Sequence, residues 1–208
     1  RVFSTLDTDE QIQDEGNIKK VDFQKPIKFE DVWFAYQDDD WVLKGIDLKI
    51  EPNTTVAFVG ATGAGKSSIV NLLSRFYEYQ KGAIQVGETN IEKIDLRKNI
   101  SIVLQDVFLF SDTIYNNITL GDESITKEEV INAAKAVGAH DFIMRLPNNY
   151  DYEVGERGGV LSVGQRQLLA FIRAYVYNPH ILILDEATSS VDNESEELIQ
   201  NATDHCFR

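Results

Sequence analysis

Residues Gly60–Ser67 carry the clearest chemical pattern in the chain. They read Gly-Ala-Thr-Gly-Ala-Gly-Lys-Ser and match G-x-x-x-x-G-K-[ST], the P-loop pattern of phosphate-binding loops. Glycines let backbone N–H groups turn toward phosphate oxygens, and a helix starting near Gly65 adds the positive end of its dipole. We expect Lys66 to reach the β- and γ-phosphates and the Ser67 hydroxyl to bind Mg²⁺. The alternative, a glycine-rich turn with a chance lysine, is disfavoured by the strand and helix predicted on either side.

A second pattern ends in two acids that could hold a metal ion and activate water. Ile181–Leu184 is fully apolar and is followed directly by Asp185 and Glu186. We expect Asp185 to approach Mg²⁺ and Glu186 to polarise the attacking water. An apolar strand that ends in two acids is common by itself, so its weight comes from the P-loop in the same chain.

The elements that would position the P-loop follow from apolar spacing. Apolar and polar residues alternate over residues 27–50 on both sides of the turn-like Gln37–Asp40, which predicts an antiparallel hairpin. Thr55–Val59 is predicted as a short buried strand that leads into the glycine-rich loop. A helix is then predicted from apolar residues at helical spacing: Ile69, Val70, Leu72, Leu73 and Phe76.

The rest of the chain combines short strands with a helical block. Ala83–Val86 and Ile100–Leu104 are predicted strands, and residues from about 112 to 177 are predicted to be mainly helical. Two capping boxes mark helix starts in that block: Thr126 with Glu129, and Ser162 with Gln165. The pattern predicts one α/β core with an inserted helical block.

Composition and charge limit the class of protein. The chain has 208 residues, 43% hydrophobic and 26% charged, which suits one compact domain or one domain with a small added lobe. Its net charge of -14 argues against a nucleic-acid-binding surface, which would be basic. Cys206 is the only cysteine, which excludes an intrachain disulfide and favours a reducing compartment. No apolar run in the sequence is long enough to span a bilayer.

Several ordered motifs together resemble the nucleotide-binding domain of ATP-binding cassette (ABC) transporters, of the exporter type in which a membrane domain precedes the cassette. Leu161–Gln167 looks like the family's signature sequence, and residues 96–114 resemble the Q-loop region of exporters. Glu153–Gly158 is similar to the exporter loop that contacts the membrane domain, and Ser189–Asp192 resembles the D-loop. The resemblance covers residues from about 27 to 208.

This resemblance implies an α/β fold: a P-loop NTPase core with an antiparallel β-subdomain and an inserted α-helical subdomain. Residues 26–208 would form the cassette, with the helical subdomain at about 107–177. Residues 1–25 are polar, acidic and without sustained periodicity, and we interpret them as a linker from the membrane domain. Because the only methionine is Met144, we expect the chain to be an excised piece of a longer protein or a processed chain.

The resemblance also implies sites for ATP and Mg²⁺. Tyr36 would stack on adenine, with a core tyrosine that closes the hairpin as the alternative. Gln105 would contact Mg²⁺ or the attacking water, with a polar strand-end residue as the alternative. The implied catalytic residues are Glu186, Lys66 and Gln105, and the implied Mg²⁺ ligands are Ser67, Gln105 and Asp185. The implied ATP-binding residues are Tyr36, Gly60, Ala61, Thr62, Gly63, Ala64, Gly65, Lys66, Ser67 and Ser68.

Other residues would act on ATP held by a second nucleotide-binding domain. Ser162 is expected to cap a helix whose first turn, with Gly164 and Gln165, offers N–H donors and a positive dipole end to an anion. In the family this anion is the γ-phosphate on the partner cassette. Asp192 of the D-loop would cross between the paired cassettes or cap a helix. The resemblance therefore implies a head-to-tail dimer that sandwiches two ATP molecules.

Val163 departs from the family pattern, which usually has glycine at this place in the signature. A β-branched residue restricts the backbone conformations that glycine permits and adds bulk near the incoming phosphate. Two interpretations stay open: one half of a heterodimer with one strong and one weak site, or a tolerated substitution in a homodimer.

The family's switch histidine is expected to lie beyond Arg208, so that the chain is truncated before the strand that carries it. His140, His180 and His205 have neither the spacing nor the context of that residue, and we interpret them as surface or cap residues. We therefore expect weak ATPase activity from residues 1–208, with nucleotide binding retained by the intact P-loop.

The expected function is an ATP-hydrolysing motor domain of an ABC exporter at the cytoplasmic face of a membrane. ATP would close the dimer, and hydrolysis would open it and move the transmembrane domain of the same polypeptide between two access states. The alternative is a nucleotide-dependent dimerisation or regulatory module with little hydrolysis, which Glu186 disfavours. A third interpretation, a soluble ABC ATPase that acts on nucleic acid, is disfavoured by the net charge and the exporter-type motifs. The sequence does not indicate the transported substrate, because the cassette does not contact it.

Overall fold

The structure is a computed structural model that describes residues 21–94, 96, 99–104, 106–155 and 159–185. The chain divides into two compact units, residues 1–97 and 98–208, and each is described by itself. Most of the predicted linker, residues 1–25, lies outside the described residues.

An antiparallel sheet organises the first unit. Strands β1 (Ile27–Ala35) and β2 (Trp41–Ile50) form a hairpin, as predicted. Strand β3 (Lys81–Val86) pairs with β1 and with β4 (Thr89–Asn90), which gives the order β2-β1-β3-β4. Alternation along the strands places one set of side chains in the core of this unit: Phe29, Val32, Phe34, Leu43, Ile84 and Val86.

Helix α1 (Lys66–Leu73) begins within the P-loop motif, after Gly65, as predicted, and buries Leu72 and Leu73. The prediction that Phe76 continues its apolar face is wrong, because Phe76 is 57% exposed and lies beyond the helix end. The chain leaves the helix at Arg75, whose φ of 53° is left-handed and cannot continue a right-handed helix. A short 3₁₀ turn at Ile91–Lys93 follows β4.

The prediction of a short buried strand at Thr55–Val59 is also wrong in this structure. The segment has no strand assignment, and Val56 and Val59 are 43% and 92% exposed. An apolar run becomes a strand only where a neighbouring backbone takes its hydrogen bonds. None of the described strands in the first unit pairs with this run.

The described residues of the second unit form two small sheets, of which one matches the predicted strands. Strand β5 (Ile100–Val103) runs parallel to β8 (Ile181–Leu184), with Val103 opposite Leu184. The short strands β6 (Asp112–Thr113) and β7 (Glu153–Val154) pair antiparallel within the block predicted to be mainly helical.

Four helices account for the described helical block: α2 (Ile114–Thr119), α3 (Lys127–Ala136), α4 (His140–Met144) and α5 (Val163–Val176). A 3₁₀ turn at Asn149–Asp151 follows α4. Both predicted capping boxes are confirmed, at the starts of α3 and α5. Helix α5 is the most buried, and its core side chains are Leu168, Leu169, Phe171 and Ile172. Among the described residues no helix combines the length and the apolar character needed to cross a membrane.

Candidate functional site

The P-loop turns sharply into α1 at Gly65. Gly65 is the N-cap of the helix with φ 86°, in the left-handed region, and its position leaves no room for a side chain. A Cβ there would lie 2.7 Å from Leu43 Cδ2, on the neighbouring strand β2. Glycine at this position therefore serves two needs, the backbone conformation and the close approach of the loop to β2.

Lys66 folds back onto the loop that precedes it. Its Nζ donates to the carbonyl oxygens of Gly60 and Ala61 at 2.8 and 3.0 Å. A turn bond from Ala64 N to Ala61 O, at 3.1 Å, closes the loop. The ammonium group is thus held over a loop whose residues 60–64 are all exposed, where an anion could replace the two carbonyl contacts.

The start of α1 has open donors. Gly65 supplies no side-chain cap, so the first N–H groups of this helix have no partner within the helix. Ser67 in the first turn is exposed, whereas Ser68 is buried. A lysine, a hydroxyl group and uncapped N–H groups form a donor set that fits a polyphosphate with its metal ion.

Tyr36 follows the end of β1 and lies against the same helix. Its Oη lies 3.1 Å from Ser68 Oγ and accepts a hydrogen bond from Asn71 Nδ2 at 3.1 Å. The side chain remains 45% exposed. The structure thus places the tyrosine predicted to stack on a base beside the P-loop helix, and it adds Asn71, which the sequence analysis did not single out. The available sequence signal was its spacing of three residues from Ser68, which puts both on one helix face.

Asp185 lies at the carboxyl end of β8 in the second unit. It is exposed, and its backbone N donates to Val103 O at 3.0 Å. Because β5 and β8 are parallel, their carboxyl ends share one edge, which is the usual place for ligands in such sheets. The predicted Mg²⁺ ligands other than Asp185 belong to other segments, and the described residues contain no cluster of three or more acidic, histidine or cysteine side chains.

Several predicted site residues lie outside the described residues: Gln105, Glu186, Asp192 and the rest of the D-loop motif. Gln105 follows Leu104 at the end of β5, and Glu186 follows Asp185 in sequence. Their assignment remains a prediction from the motifs. The same holds for residues 156–158 of the loop that resembles an exporter contact.

The signature segment forms a capped helix start. Ser162 Oγ accepts from Gln165 N at 3.1 Å, and Gln165 Oε1 accepts from Ser162 N at 3.0 Å. Val163 is the first helical residue of α5 and Gly164 is buried in the first turn. Two donors are therefore satisfied by the cap, and the N–H groups of Val163 and Gly164 remain for an anion.

Val163 adopts an ordinary helical backbone at this start. It is not among the residues with positive φ, so the position does not require glycine for its conformation. Its side chain is 40% exposed. The backbone at Val163 is therefore not strained by a β-branched residue. Only the bulk of its side chain distinguishes this position from glycine.

Asn117 holds the loop before α2, a role that was not predicted from the sequence. The side chain is 1% exposed; its Oδ1 accepts from Phe110 N at 2.8 Å and its Nδ2 donates to Phe110 O at 3.0 Å. Nδ2 also lies within hydrogen-bond range of the carbonyl oxygens of Asp112 and Thr113, at 3.3 and 3.0 Å. The sequence signal was a polar residue on the apolar face that Ile114 and Ile118 define.

Helix α5 and its C-cap also contact α2. Arg173 Nε donates to Asn117 O at 3.0 Å, and Tyr177 Oη donates to Thr119 O at 2.7 Å, so both bind the last carbonyls of α2. Gln167 Nε2 donates to Leu104 O at 3.2 Å. Burial lowers the pKa of Arg173, which still remains charged because a guanidinium group starts so high. The signature helix therefore holds both Leu104 and α2.

The described histidines have structural contacts. His140 begins α4, and its Nδ1 forms a hydrogen bond of 2.8 Å with Tyr150 Oη. Burial raises the pKa of Tyr150 to about 12, so its hydroxyl stays protonated. His180 is exposed just before β8, and its backbone N donates to Asn99 O at 2.9 Å. His205 lies outside the described residues.

Comparison with known sequences identifies similar proteins. Residues 43–189 match the family described as ABC transporter. Two relatives, named as multidrug export ATP-binding/permease proteins of Staphylococcus aureus strains NCTC 8325 and Mu50, are each 48% identical over 208 residues. Each alignment covers 98% of this chain but only 36% of the relative. The chain therefore spans little more than a third of the length of these relatives.

A solved structure shares the fold. It is described as a bacterial Atm1-family ABC exporter with ATP bound, with 40% sequence identity and a TM-score of 0.88. The match covers 97% of this chain and 36% of that chain.

Proposed function

Because this chain belongs to the ABC transporter family and forms an ATP-binding domain of it, we propose that it binds Mg²⁺-ATP and hydrolyses it to drive an exporter. The observation that supports this most directly is the geometry around α1. Lys66, the uncapped helix start and the hydroxyl of Tyr36 all lie on or against this one helix. The proposed phosphate-binding end and the ring of Tyr36 thus lie at the same helix.

Triphosphate binding follows from the donors at the start of α1. Lys66 Nζ would exchange the carbonyls of Gly60 and Ala61 for phosphate oxygens, which are charged acceptors and bind an ammonium group more strongly. The N–H groups of the first turn would donate to the same anion. The exposed Ser67 hydroxyl would ligate Mg²⁺, which neutralises phosphate charge when it is bound. Tyr36 would stack on the adenine base.

Hydrolysis is assigned to Asp185 at the carboxyl edge of β5 and β8, and to Gln105 and Glu186, which follow these strands in the sequence. Asp185, exposed at this edge, and Gln105 would complete the Mg²⁺ ligands with Ser67. Glu186 would accept the proton of the attacking water. The exposure of Asp185 and its direct bond to the end of β5 support this assignment for the described part of the edge.

Dimerisation would supply the remaining ATP contacts. Ser162, Gly164, Gln165 and Asp192 would act on ATP held by a second nucleotide-binding domain. The relatives and the exporter structure support a transmembrane domain in the same polypeptide, with this domain at the cytoplasmic face of the membrane. Val163 is compatible with two arrangements, a heterodimer with one weak site and a homodimer that tolerates the substitution. Equal, full-rate hydrolysis at both sites of a reconstituted homodimer would exclude the heterodimer.

Nucleotide binding by the 208-residue chain tests the proposal. We expect Lys66→Ala to weaken Mg²⁺-ATP binding about 100-fold or more, because two charge-assisted hydrogen bonds are lost. Lys44→Ala is the matched control, since Lys44 is an exposed lysine on β2 of the same unit. Isothermal titration calorimetry measures both affinities. Equal affinities for the two variants would contradict the assignment of the P-loop.

Turnover tests the catalytic part separately. Glu186→Gln should abolish hydrolysis while it retains ATP binding, because only the proton acceptor is removed. The measurement is phosphate release from Mg²⁺-ATP. A Gln variant that hydrolyses ATP at the unaltered rate would show that the base lies elsewhere.

A further inference from the structure

Tyr36 is attached to α1 through its hydroxyl group. Asn71 Nδ2 donates to Tyr36 Oη at 3.1 Å, and a second hydrogen bond of 3.1 Å joins Oη to Ser68 Oγ. Ser68 and Asn71 are three residues apart and therefore lie on one face of the helix. Ser68 is only 4% exposed, so the point of attachment is fixed by packing, while Tyr36 keeps 45% of its surface open.

Neighbouring rings fix the tilt of Tyr36. Phe34 packs against it at a centroid distance of 4.7 Å and an interplanar angle of 77°. Tyr77 does so at 5.0 Å and 89°. Edge-to-face contacts of this kind are favourable and directional. With its hydroxyl bonded on two sides and its ring contacted by two others, Tyr36 has one orientation before any ligand arrives.

We propose that Asn71 is a positioning residue for the nucleotide base, which acts by holding the Tyr36 ring at a fixed place relative to the P-loop. The inference rests on the proposed function, since it takes the ligand to be a flat base joined to a triphosphate. Lys66 and Asn71 belong to one rigid helix, about 7.5 Å apart along its axis. A ring ordered in advance costs less conformational entropy when the ligand binds.

The hydroxyl contacts also limit how the ring recognises a base. Tyr36 Oη accepts from Asn71 and shares its other hydrogen bond with Ser68, so these partners occupy it. Tyr36 therefore contributes its ring surface to a base, and Asn71 and Ser68 orient that surface. This role differs from that of Lys66, which concerns the phosphates alone.

The test uses three variants and two ligands. Asn71→Ala removes the donor, and Tyr36→Phe removes the acceptor while it keeps the ring. Tyr77→Phe makes the same chemical change on the adjacent ring, whose hydroxyl forms no hydrogen bond with any described residue. Affinities of the 208-residue chain are measured by calorimetry for Mg²⁺-ATP and for Mg²⁺-tripolyphosphate, which has no base.

We expect Asn71→Ala to weaken ATP binding about fivefold, as the loss of one neutral hydrogen bond does. Tyr36→Phe loses the bonds to both Asn71 and Ser68 and should weaken it at least as much. The double variant should match Tyr36→Phe, because that variant has already lost the contact with Asn71. Tripolyphosphate affinity should not change in any of them, and Tyr77→Phe should bind both ligands like the unaltered chain.

Three results would overturn the inference: Asn71→Ala binds ATP as tightly as Tyr77→Phe, the two single effects add in the double variant, or tripolyphosphate affinity falls by the same factor as ATP affinity. The unaltered chain separates this failure from that of the proposed function. If it binds tripolyphosphate as tightly as ATP, the base contributes nothing and the role of Asn71 is refuted, while phosphate binding stands. If it binds neither ligand, the proposed function fails as well.

Discussion

The starts of α1 and α5 differ in how their backbone donors are satisfied, although both are proposed to face phosphate. Helix α1 begins at Gly65 without a side-chain cap, and the exposed loop before it is held by Lys66. Helix α5 begins with the reciprocal bonds of Ser162 and Gln165. Two of its donors are thus occupied by the chain itself, whereas those of α1 are left open.

The start of α1 has open donors for a ligand, whereas the start of α5 is already ordered by bonds within the chain. In the proposed function the P-loop would exchange bonds with the chain for bonds with an anion, so its conformation would depend on the ligand. The signature helix is held by its cap and, through Gln167 and Arg173, by the ends of β5 and α2. We infer that the order of the signature start is independent of nucleotide, and four predictions test the contrast, from the largest effect to the smallest.

Asn117→Ala should remove the side-chain hydrogen bonds that hold the loop before α2. The change removes the side-chain partner of the Phe110 N–H and one of the two donors to the Phe110 carbonyl, which also accepts from Asp112 N. We expect a loss of about 3 kcal/mol in the free energy of unfolding, measured by urea titration. Asn116→Ala is the matched control, because Asn116 is exposed and should cost less than about 0.5 kcal/mol. Similar losses in both variants would show that the hydrogen bonds of Asn117 to Phe110 contribute little to stability.

Gly65→Ala should damage the start of α1 more than Gly63→Ala. Both glycines have a similar positive φ, 86° and 84°, so the backbone cost is the same. Only at Gly65 does the added Cβ meet a neighbour, 2.7 Å from Leu43 Cδ2; at Gly63 nothing lies within 4 Å. We expect losses of about 2 to 3 and about 1 kcal/mol in unfolding free energy without ligand. Equal losses would show that Leu43 moves aside freely.

Ser162→Ala should loosen the start of α5 by about 1 kcal/mol, the usual value of an N-cap. Ser162→Thr keeps a hydroxyl that can accept from Gln165 N and should retain most of the stability. Hydrogen exchange of the first turn of α5 measures the effect locally. If the alanine variant exchanges like the threonine variant, the cap does not order this start.

The two capping boxes should respond differently to acid. Hydrogen bonds from the Thr126 backbone and side chain lower the pKa of Glu129 below its ordinary value of 4.5. A lowered pKa means that the bond contributes stability above 4.5 and loses it as the pH falls through the lower, folded-state value. Gln165 does not titrate, so the start of α5 should not show this response. Hydrogen exchange of both first turns against pH measures it.

Glu129→Gln supplies the control for the pH response. It converts the box at the start of α3 into the type found at the start of α5. Its first turn should exchange with no acid-dependent change beyond the intrinsic rate. An acid response that survives in the Gln variant would assign the effect to another group.

Local patterns in the sequence predicted the elements with short-range causes. The hairpin of β1 and β2, the helix that begins in the P-loop motif, and both capping boxes are confirmed, since each depends on residues close together in the chain. Strands β5 and β8 are also confirmed, although their pairing joins segments that are distant in the sequence. The family and the α/β fold class, inferred from the ordered motifs, are confirmed by the comparisons. The roles of Gln105, Glu186 and Asp192 stay predictions, because these residues lie outside the described part of the chain.

The misses have causes that the composition and spacing of one segment do not show. Thr55–Val59 has the composition of a buried strand, but a strand also needs a partner, which composition does not specify. Phe76 has the spacing of the helix face, yet the chain turns away at Arg75. Asn117 and Asn71 form their bonds with groups that spacing alone does not bring together, Phe110 in one case and Tyr36 in the other.

The sequence by itself determined the chemistry of this protein: a P-loop lysine and hydroxyl, an aspartate after an apolar strand, and a capped signature helix. These follow from residue types and from spacings within one or two turns, where local physics is sufficient. Only the tertiary structure decided how the parts are held, with Tyr36 bonded to Ser68 and Asn71, and α2 bonded to Arg173. Such contacts depend on packing between distant segments, which sets distance and orientation and has no signature in a short stretch of sequence.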